Sequence, residues 1–227
     1  MTLALLTLAS TLALAQEAPA EEAPAEAAPA EEGSPAEAPA GPRTYTLDPS
    51  QSRLYVLVKY DRNATIPGHD HVVVASTFDG TVTWDPADPS ACDIHIEFPV
   101  TALTVDPGNA RSWVGLEGET SEGDKRKIRD NALGRHQLEA DKFPKISYQS
   151  TSCSGSGSSY EVKGDLSIHG LTNPVTTKMT IQAGDTFAAK GSFTTDHARW
   201  GMDPFSALLG ALRNDPQLAF TVDVKGK

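Results

Sequence analysis

Histidines are the residues of this chain whose type and spacing could do chemistry. His69 and His71 are separated by one residue in the stretch HDH. On a β-strand two such imidazoles point the same way, and they could ligate a transition metal. A third ligand would have to come from His136, His169, His197 or a carboxylate, and the sequence gives no reason for them to converge. We therefore expect no metal site, and we keep a metal protein or enzyme built on His69 and His71 as the alternative.

The strand that contains His71 supports this expectation. Alternation over residues 72–84 places Val72, Val74 and Phe78 on one face. His71 then falls on the opposite, polar face of the strand.

A further histidine lies in residues 164–175, GDLSIHGLTNPV. In the alternating pattern His169 shares the polar face with Asp165 and Ser167, and Gly170 permits a left-handed turn. The motif supplies neither a nucleophile nor an orienting acid, so we interpret His169 as a turn residue. No GxSxG elbow and no glycine-rich phosphate loop after a strand occurs in the sequence. We predict no catalytic residues.

The two cysteines, Cys92 and Cys153, form no CxxC or CxxCH motif. If strands 92–98 and 145–153 are antiparallel neighbours, Cys92 at the start of the first meets Cys153 at the end of the second. We therefore predict a disulfide, which would stabilise the fold by about 4 kcal/mol in the chain-entropy model. Cys153 lies out of phase with Tyr148, so the pairing needs a bulge or a frayed strand end.

The elements that must position these residues are mostly strands, because apolar and polar residues alternate with period two. The pattern indicates about eight strands, which can close into a barrel that is filled by side chains or holds one small ligand. We predict an all-β fold, an eight-stranded antiparallel barrel with one or two short helices; a two-sheet sandwich would give similar periodicity. Small residues on the apolar face, such as Gly164 and Gly191, either make room in a hollow barrel or mark bulges and corners.

Two stretches interrupt the strand pattern and predict helices. Residues 122–133 are highly charged, with Asp124 as a candidate N-cap. Residues 203–214 have Asp203 as a cap, Pro204 in the first turn and an apolar face at helical spacing. We expect the second helix to cover one end of the barrel as a lid.

The N-terminal part of the chain differs in composition from the rest. Residues 1–15 form an apolar run that ends in Ala-Leu-Ala and is too short to span a bilayer, which predicts a signal peptide. Residues 16–43 are rich in Glu, Ala and Pro and predict a disordered spacer. We therefore expect a periplasmic or secreted protein without stable membrane insertion, whose barrel domain comprises residues 44–227.

The charge of the chain lies largely in the spacer. Its residues 16–42 hold seven of the 30 acidic residues and no basic residue, which leaves 23 acidic against 19 basic residues for the rest of the chain. A mildly acidic domain without a basic patch argues against nucleic acid as a partner.

Five segments occur in an order that is typical of one known family. They are YTLDPSQSRLYVLVKY (45–60), FDGTVTWDP (78–86), IRDNAL (128–133), KFPKISYQST (142–151) and GDLSIHGLTNPV (164–175). Together they resemble the YceI-like family of periplasmic polyisoprenoid-binding proteins, over nearly all of residues 44–225. The resemblance implies an extended lipocalin-like barrel with a long apolar tunnel for an isoprenoid tail.

From the barrel and the resemblance we predict a protein that is not an enzyme and needs no cofactor. It would bind an isoprenoid lipid, of the polyprenyl or quinone type, in its cavity for sequestration or transport. A homodimer is compatible with the sequence, and an interaction module with a solid core is a further alternative. The predicted ligand contacts are inward-facing apolar residues and the segment around the second helix: Phe78, Val82, Trp84, Ile96, Phe98, Tyr148, Leu166, Ile168, Met179, Phe193, Arg199, Trp200, Met202, Phe205, Leu208, Leu209, Leu212 and Phe220.

Overall fold

The computed structural model describes residues 41–227, and β-strands make up most of this part of the chain. The strands are β1 (Arg43–Thr46), β2 (Arg53–Tyr60), β3 (His71–Ala75), β4 (Asp79–Trp84), β5 (Asp93–Pro99), β6 (Leu103–Val105), β7 (Lys145–Ser156), β8 (Ser159–Ile168), β9 (Leu171–Ala183), β10 (Phe187–Asp196), β11 (Ser206–Ala207) and β12 (Leu212–Gly226). One α-helix, α1 (Glu122–Leu133), lies between β6 and β7. Short 3-10 turns occur at Pro49–Gln51, Pro89–Ala91, Val100–Ala102, Ala110–Val114, His197–Trp200 and Leu208–Gly210. The predicted signal peptide, residues 1–15, and the predicted spacer up to residue 40 lie outside the described residues.

The strands form one antiparallel sheet in the order β1-β4-β5-β7-β8-β9-β10-β12-β2-β3-β6, and β11 pairs with the start of β12. The sheet curls so that its first strand meets β12, and β2, β3 and β6 continue the sheet beyond that seam: Leu47, directly after β1, bridges to Gly226 at the end of β12. The backbone N–H of Thr46 donates to the carbonyl of Lys227 at 2.9 Å in the same seam. This closure confirms the predicted all-β barrel.

The strand count exceeds the predicted eight for two physical reasons. Residues 72–84, which alternate as if they were one strand, form β3 and β4, which occupy distant places in the sheet. The short strands β1, β6 and β11 contain two to four residues each and are too brief for a periodicity to show.

The two ends of the barrel differ. At one end, which we call the closed end, aromatic rings pack against each other: Tyr45 on Phe187 with ring centroids 5.4 Å apart, and Trp84 edge-on to Tyr160 at 4.8 Å. At the opposite end, which we call the open end, β2 and β10 finish and the β8–β9 turn lies. The loops 61–70 and 197–211 belong to this open end, because they follow directly from those strand ends.

Strand β3 is buried on both faces. Val72 and Val74 point outward and pack under Ala110 and Trp113 of the 3-10 turn that covers the strand. The prediction that His71 lies on the polar, outward face is therefore wrong, and His71 lies in the inner wall. An apolar strand covered on both sides offers no polar face, so alternation cannot tell which side is the interior.

The predicted disulfide joins Cys92 and Cys153 and is confirmed. Strands β5 and β7 are antiparallel neighbours, as the prediction required. The register of β7 against β8 shifts between Ser150 and Ser152, which is the bulge that the phase of Cys153 demanded. The shift returns Cys153 to the buried side of β7.

Helix α1 is confirmed over the predicted residues, with a different cap. The side chain of Ser121, not Asp124, caps it by accepting from the backbone N–H of Asp124 at 3.1 Å. Ser121 in turn donates to the carboxylate of Asp124 at 2.7 Å. The sequence S-x-x-D thus forms a reciprocal capping arrangement. None of the helices within residues 41–227 is long and apolar enough to cross a membrane.

The second predicted helix, residues 203–214, is wrong. This segment forms a small hairpin in which β11 pairs with the start of β12, Ser206 opposite Arg213. The turn of the hairpin contains Leu208 and Leu209, both with positive φ, and both are exposed. The apolar face that predicted a lid is divided between this exposed turn and the strand that follows.

The glycines Gly164 and Gly191 on the apolar face leave no room of their own. A methyl group at Gly164 would lie 2.4 Å from the ring of Tyr148, and one at Gly191 would lie 2.4 Å from the sulfur of Met179. Large side chains of the neighbouring strands fill these gaps. The space inside the barrel therefore does not come from its glycines.

Candidate ligand-binding cavity

The barrel encloses a cavity of about 790 Å³ whose wall is mainly apolar. This volume lies within the range of about 300–1,000 Å³ that ligand pockets occupy. Near the closed end the wall includes Phe187 and Val224, while Trp84 and Tyr160 lie beyond it. The cavity therefore ends on the aromatic layer and extends from there toward the open end.

Most of the predicted ligand contacts lie on the cavity wall. They are Val82, Ile96, Phe98, Tyr148, Leu166, Ile168, Met179, Phe193, Met202, Phe205, Leu212 and Phe220. Most of them belong to strands, where alternate residues face the interior, so the two-residue periodicity locates them. Phe205 and Leu212 reach the wall from the hairpin at the open end, not from a helix.

Three predicted aromatic contacts are core residues instead. Phe78 and Trp84 belong to the layer that packs the closed end. Trp200 is fully buried, and its indole N–H donates to the carbonyl of Leu166 at 3.1 Å. None of these three side chains forms part of the cavity wall.

The remaining predicted contacts lie outside the cavity. Arg199, expected near a ligand head group, is exposed and donates to the carbonyl of Pro174 at 2.8 Å. Leu208 and Leu209 have exposed fractions of 66% and 109%, so neither seals the cavity. The lid that the sequence predicted is thus absent from residues 203–214.

Part of the wall was not predicted. Ile128, Asn131 and Ala132 of α1 face the cavity. The apolar pair Ile128 and Ala132, four residues apart, is the signal that could have revealed this face. It is weak because charged residues dominate the rest of the helix.

A buried carboxylate anchors the wall near His71. Asp106 is 1% exposed and accepts the backbone N–H of Val72 at 2.8 Å, His71 Nδ1 at 2.8 Å and the hydroxyl of Thr120 at 2.6 Å. Arg111 Nη1 adds a fourth donor at 3.3 Å. Burial alone would raise the pKa of Asp106, but these hydrogen bonds, with that of His71 first, lower it to about 2. The carboxylate is therefore ionised at neutral pH and holds His71 in one orientation.

The HDH stretch forms no metal centre in this arrangement. His69 and His71 both line the cavity, and Nδ1 of His71 is committed to Asp106. Across residues 41–227, no group of three or more His, Cys, Asp or Glu side chains is placed to hold a metal ion.

His197 is the most deeply buried polar group of the wall, at 4% exposed. Its Nδ1 donates to the carbonyl of Pro216 at 2.8 Å. Burial lowers the pKa of His197, so the ring is neutral at pH 7 and Nε2 carries a free lone pair. No residue of the described chain donates to that Nε2.

Apart from its histidines, the part of the wall that the strands form carries no charged side chain. Burial, followed by the nearby charge of Asp165, raises the pKa of Tyr148 to about 12, so its hydroxyl stays protonated. The ionisable wall residues other than histidine and tyrosine come from α1 and the chain before it: Arg111, Glu117, Glu119, Asp124 and Lys127. The cavity thus has a neutral, apolar interior and a charged rim of both signs.

His169 is a turn residue, as predicted. It occupies the β8–β9 turn with φ 51°, followed by Gly170 with φ 73°. Its Nδ1 donates to the carbonyl of Trp200 at 2.8 Å, and its ring packs edge-on against Phe143. The histidine therefore joins the β8–β9 turn to the 3-10 turn His197–Trp200 and to the segment before β7.

Comparisons with known proteins agree with this architecture. A family model described as the YceI-like domain matches residues 45–224. A UPF0312 protein of Pseudomonas putida strain W619 is 32% identical over 105 residues, which are 46% of this chain and 45% of that protein. A UPF0312 protein of Yersinia pestis strain Pestoides F is 31% identical over 111 residues, 48% of each chain. The matched region thus spans about half the length of these curated relatives.

Two solved structures share the fold. BcnA of Burkholderia cenocepacia superposes with a TM-score of 0.60 at 17% identity, over 80% of this chain and 99% of that one. A polyisoprenoid binding domain from Saccharophagus degradans, implicated in plant cell wall breakdown, gives a TM-score of 0.52 at 10% identity, over 81% and 97% of the two chains. At these identities the likeness concerns the fold alone.

Proposed function

Because this chain belongs to the YceI-like domain family, we propose that it binds an isoprenoid lipid in its barrel and acts as a carrier or store without catalysing a reaction. The single observation that supports this most is the apolar cavity of about 790 Å³ that ends on the aromatic layer of the closed end. A structural relative is itself a polyisoprenoid binding domain. Such a cavity suits a long apolar chain that enters at the open end and stops at the aromatic layer.

Burial of the isoprenoid chain in the cavity would supply the binding affinity. Each CH₂ group removed from water contributes roughly 0.8 kcal/mol, and association costs about 4–15 kcal/mol. The free energy gained by burying a few isoprene units along the wall exceeds the lower part of this cost. Binding therefore depends on how far the chain reaches between Phe205 at the open end and Phe187 at the closed end.

The polar groups of the wall indicate the kind of head group. His197 offers a neutral acceptor within a mainly apolar surface. The Lys and Arg side chains of the wall, Arg111 and Lys127, are confined to the rim, and Arg111 is already hydrogen-bonded to Asp106. We propose a head group that is uncharged and carries a hydroxyl, such as an isoprenol or a hydroquinone.

The test is to purify the protein from the compartment where it resides and to extract it with organic solvent for mass spectrometry. We expect an isoprenoid lipid in stoichiometric amount. The stripped protein is then titrated with farnesol, geranylgeraniol and a straight-chain alcohol of equal carbon number. Absence of lipid from the extract, together with absence of binding on titration, would refute the proposed function.

The periplasmic location remains a prediction, as does the homodimer. Osmotic-shock fractionation of producing cells tests the first, and light scattering coupled to size-exclusion chromatography tests the second. Equilibrium dialysis with divalent transition metals, comparing the wild type with His69→Ala/His71→Ala, tests the alternative metal site.

A further inference from the structure

The large apolar side chains exposed on residues 41–227 all lie at the open end. They are Ile66, Leu171, Leu208 and Leu209. Leu171 follows the β8–β9 turn, Ile66 lies in the β2–β3 loop, and the two leucines form the β11–β12 turn. Single exposed apolar residues are ordinary, but their concentration around one opening marks an interaction surface.

The two leucines occupy a backbone conformation that disfavours them. Leu208 has φ 51° and Leu209 has φ 56°, both in the left-handed region. Bulky residues rarely adopt this region, whereas Asn and Gly adopt it readily. Neither the backbone nor contact with water favours leucine here. Strain retained at an exposed tip supports the hypothesis of a functional role.

The turn is held firmly beside the β2–β3 loop. The backbone N–H of Ile66 donates to the carbonyl of Ala211 at 2.8 Å, and Arg213 Nε donates to the carboxylate of Asp61 at 2.7 Å. Ile66, Leu208 and Leu209 thus project from joined segments, and we call them the leucine tip. Phe205 and Leu212, on the two sides of the turn in the sequence, line the cavity. The leucine tip is therefore continuous with the cavity wall.

We propose that the leucine tip inserts into the surface of a lipid bilayer and so places the open end of the cavity against the membrane. The strength of interfacial binding scales with the apolar area that is buried, and a single acyl chain already gives reversible binding. A second copy of the chain is a poorer occupant, because three side chains fall far short of the roughly 1,000 Å² that a stable protein interface buries.

The charges near the leucine tip indicate apolar insertion and not electrostatic attraction. Arg213 is paired with Asp61, and Arg62 is paired with Asp70 at 2.6 Å. Because these cations have acidic partners, binding should not require anionic lipid. The docking rests on the proposed lipid-binding function only for its purpose, which is transfer of cargo, and it can be measured without any cargo.

The experiment is flotation of the full chain with vesicles of phosphatidylcholine, with and without added phosphatidylglycerol. The test variant is Leu208→Asn/Leu209→Asn, which suits the left-handed backbone and should melt at or above the wild-type temperature. We expect the wild type to float with both vesicle types and the variant to lose at least roughly tenfold in partitioning, since two leucines leave the apolar phase. In Leu209→Trp, the introduced indole should shift its emission to the blue on vesicle addition.

Controls separate this proposal from its rivals and from the proposed function. Lys163→Asn/Lys190→Asn, exposed positions on β8 and β10, should leave flotation unchanged. Three results would each overturn the proposal. The first is flotation of the wild type only with anionic vesicles, and the second is equal flotation of the wild type and the leucine variant. The third is a wild-type dimer that the leucine substitutions dissociate while flotation stays unchanged. Farnesol titration of the same proteins should be unaffected by the leucine substitutions. If the wild type does not bind farnesol, the carrier function is refuted, and the docking result is unaffected.

Discussion

At the scale of single residues, Asp106 combines the features that make a buried carboxylate stabilising. It is ionised, it receives four hydrogen bonds, and one of its donors, His71, lies in the cavity wall. No local pattern in the sequence reveals Asp106, because His71, Val72 and Thr120 lie 35, 34 and 14 residues away from it and the strand before it has three residues. The HDH motif did draw attention to His71, whose Nδ1 hydrogen-bonds to the carboxylate of Asp106.

Asp106→Ala should lower the free energy of unfolding by about 3–5 kcal/mol, because Arg111 and the buried N–H of Val72 lose their acceptor. Urea denaturation at pH 7 measures the loss. The control is Asp79→Ala, an exposed position on β4, which should change stability by less than about 0.5 kcal/mol.

Acid should remove the same contribution from the wild type. The folded pKa of Asp106, about 2, lies below the ordinary value of 3.8. The unfolded chain therefore binds the proton first as the pH falls, and about 2 kcal/mol of stability, present above pH 4, is lost between about pH 4 and pH 2. The difference in stability between wild type and Asp106→Asn should shrink over that interval. A difference that is independent of pH would contradict this assignment.

The position of His197 in the cavity wall allows a prediction about the head group of the ligand. A neutral hydrogen bond contributes about 1 kcal/mol, so an isoprenol should bind roughly fivefold more tightly than its methyl ether. His197→Leu should abolish that preference and retain binding of the ether, whereas His95→Leu, on the outer face of β5, should change neither. Because burial lowers the pKa of His197, the preference should persist at pH 7 and disappear only below about pH 6.5, when Nε2 gains a proton. Equal affinities for alcohol and ether in the wild type would exclude this role.

At the scale of elements, the sequence is most informative where one face of a strand is buried and the other is wet. Strand β5 and the start of β7 were predicted to within one residue, and α1 was predicted to the residue. Strand β3 was assigned the wrong inner face, because the Ala110–Val114 turn covers its outer face. Residues 203–214 carry a helical pattern, but pairing of Ser206 with Arg213 and the ion pair from Arg213 to Asp61 select a hairpin. Both errors come from tertiary contacts that a local pattern cannot contain.

The disulfide that joins the start of β5 to β7 allows a prediction at this scale. Cys92 and Cys153 are 61 residues apart, and closing a loop of that length contributes about 4 kcal/mol in the chain-entropy model. Cys92→Ala/Cys153→Ala should therefore unfold at a lower urea concentration, and a reductant should destabilise the wild type but not the variant. The bridge packs with the closed-end core, so ligand affinity of the folded variant should be unchanged. A loss of less than about 1 kcal/mol would show that the bridge does not constrain the unfolded chain.

At the scale of the whole molecule, we expect the distance from the open end to the aromatic layer to set the length of isoprenoid chain that the cavity accepts. Ala189 lies near the closed end, two residues into β10, and faces inward between Ile181 and Val224. Ala189→Phe should fill the innermost part of the cavity and shorten it. The matched control is Ala188→Phe, whose side chain lies on the opposite face of the same strand.

Affinity should then depend on ligand length in a manner that only a cavity with one closed end produces. Geraniol, which leaves the innermost space empty, should bind Ala189→Phe and the wild type equally. Geranylgeraniol should lose on the order of tenfold or more with Ala189→Phe, since each CH₂ kept from burial costs about 0.8 kcal/mol. Titration of the isoprenol series against the wild type and both variants measures this. An equal loss for short and long isoprenols would mean that the substitution distorts the barrel, and no loss for either would mean that the chain does not extend to the closed end.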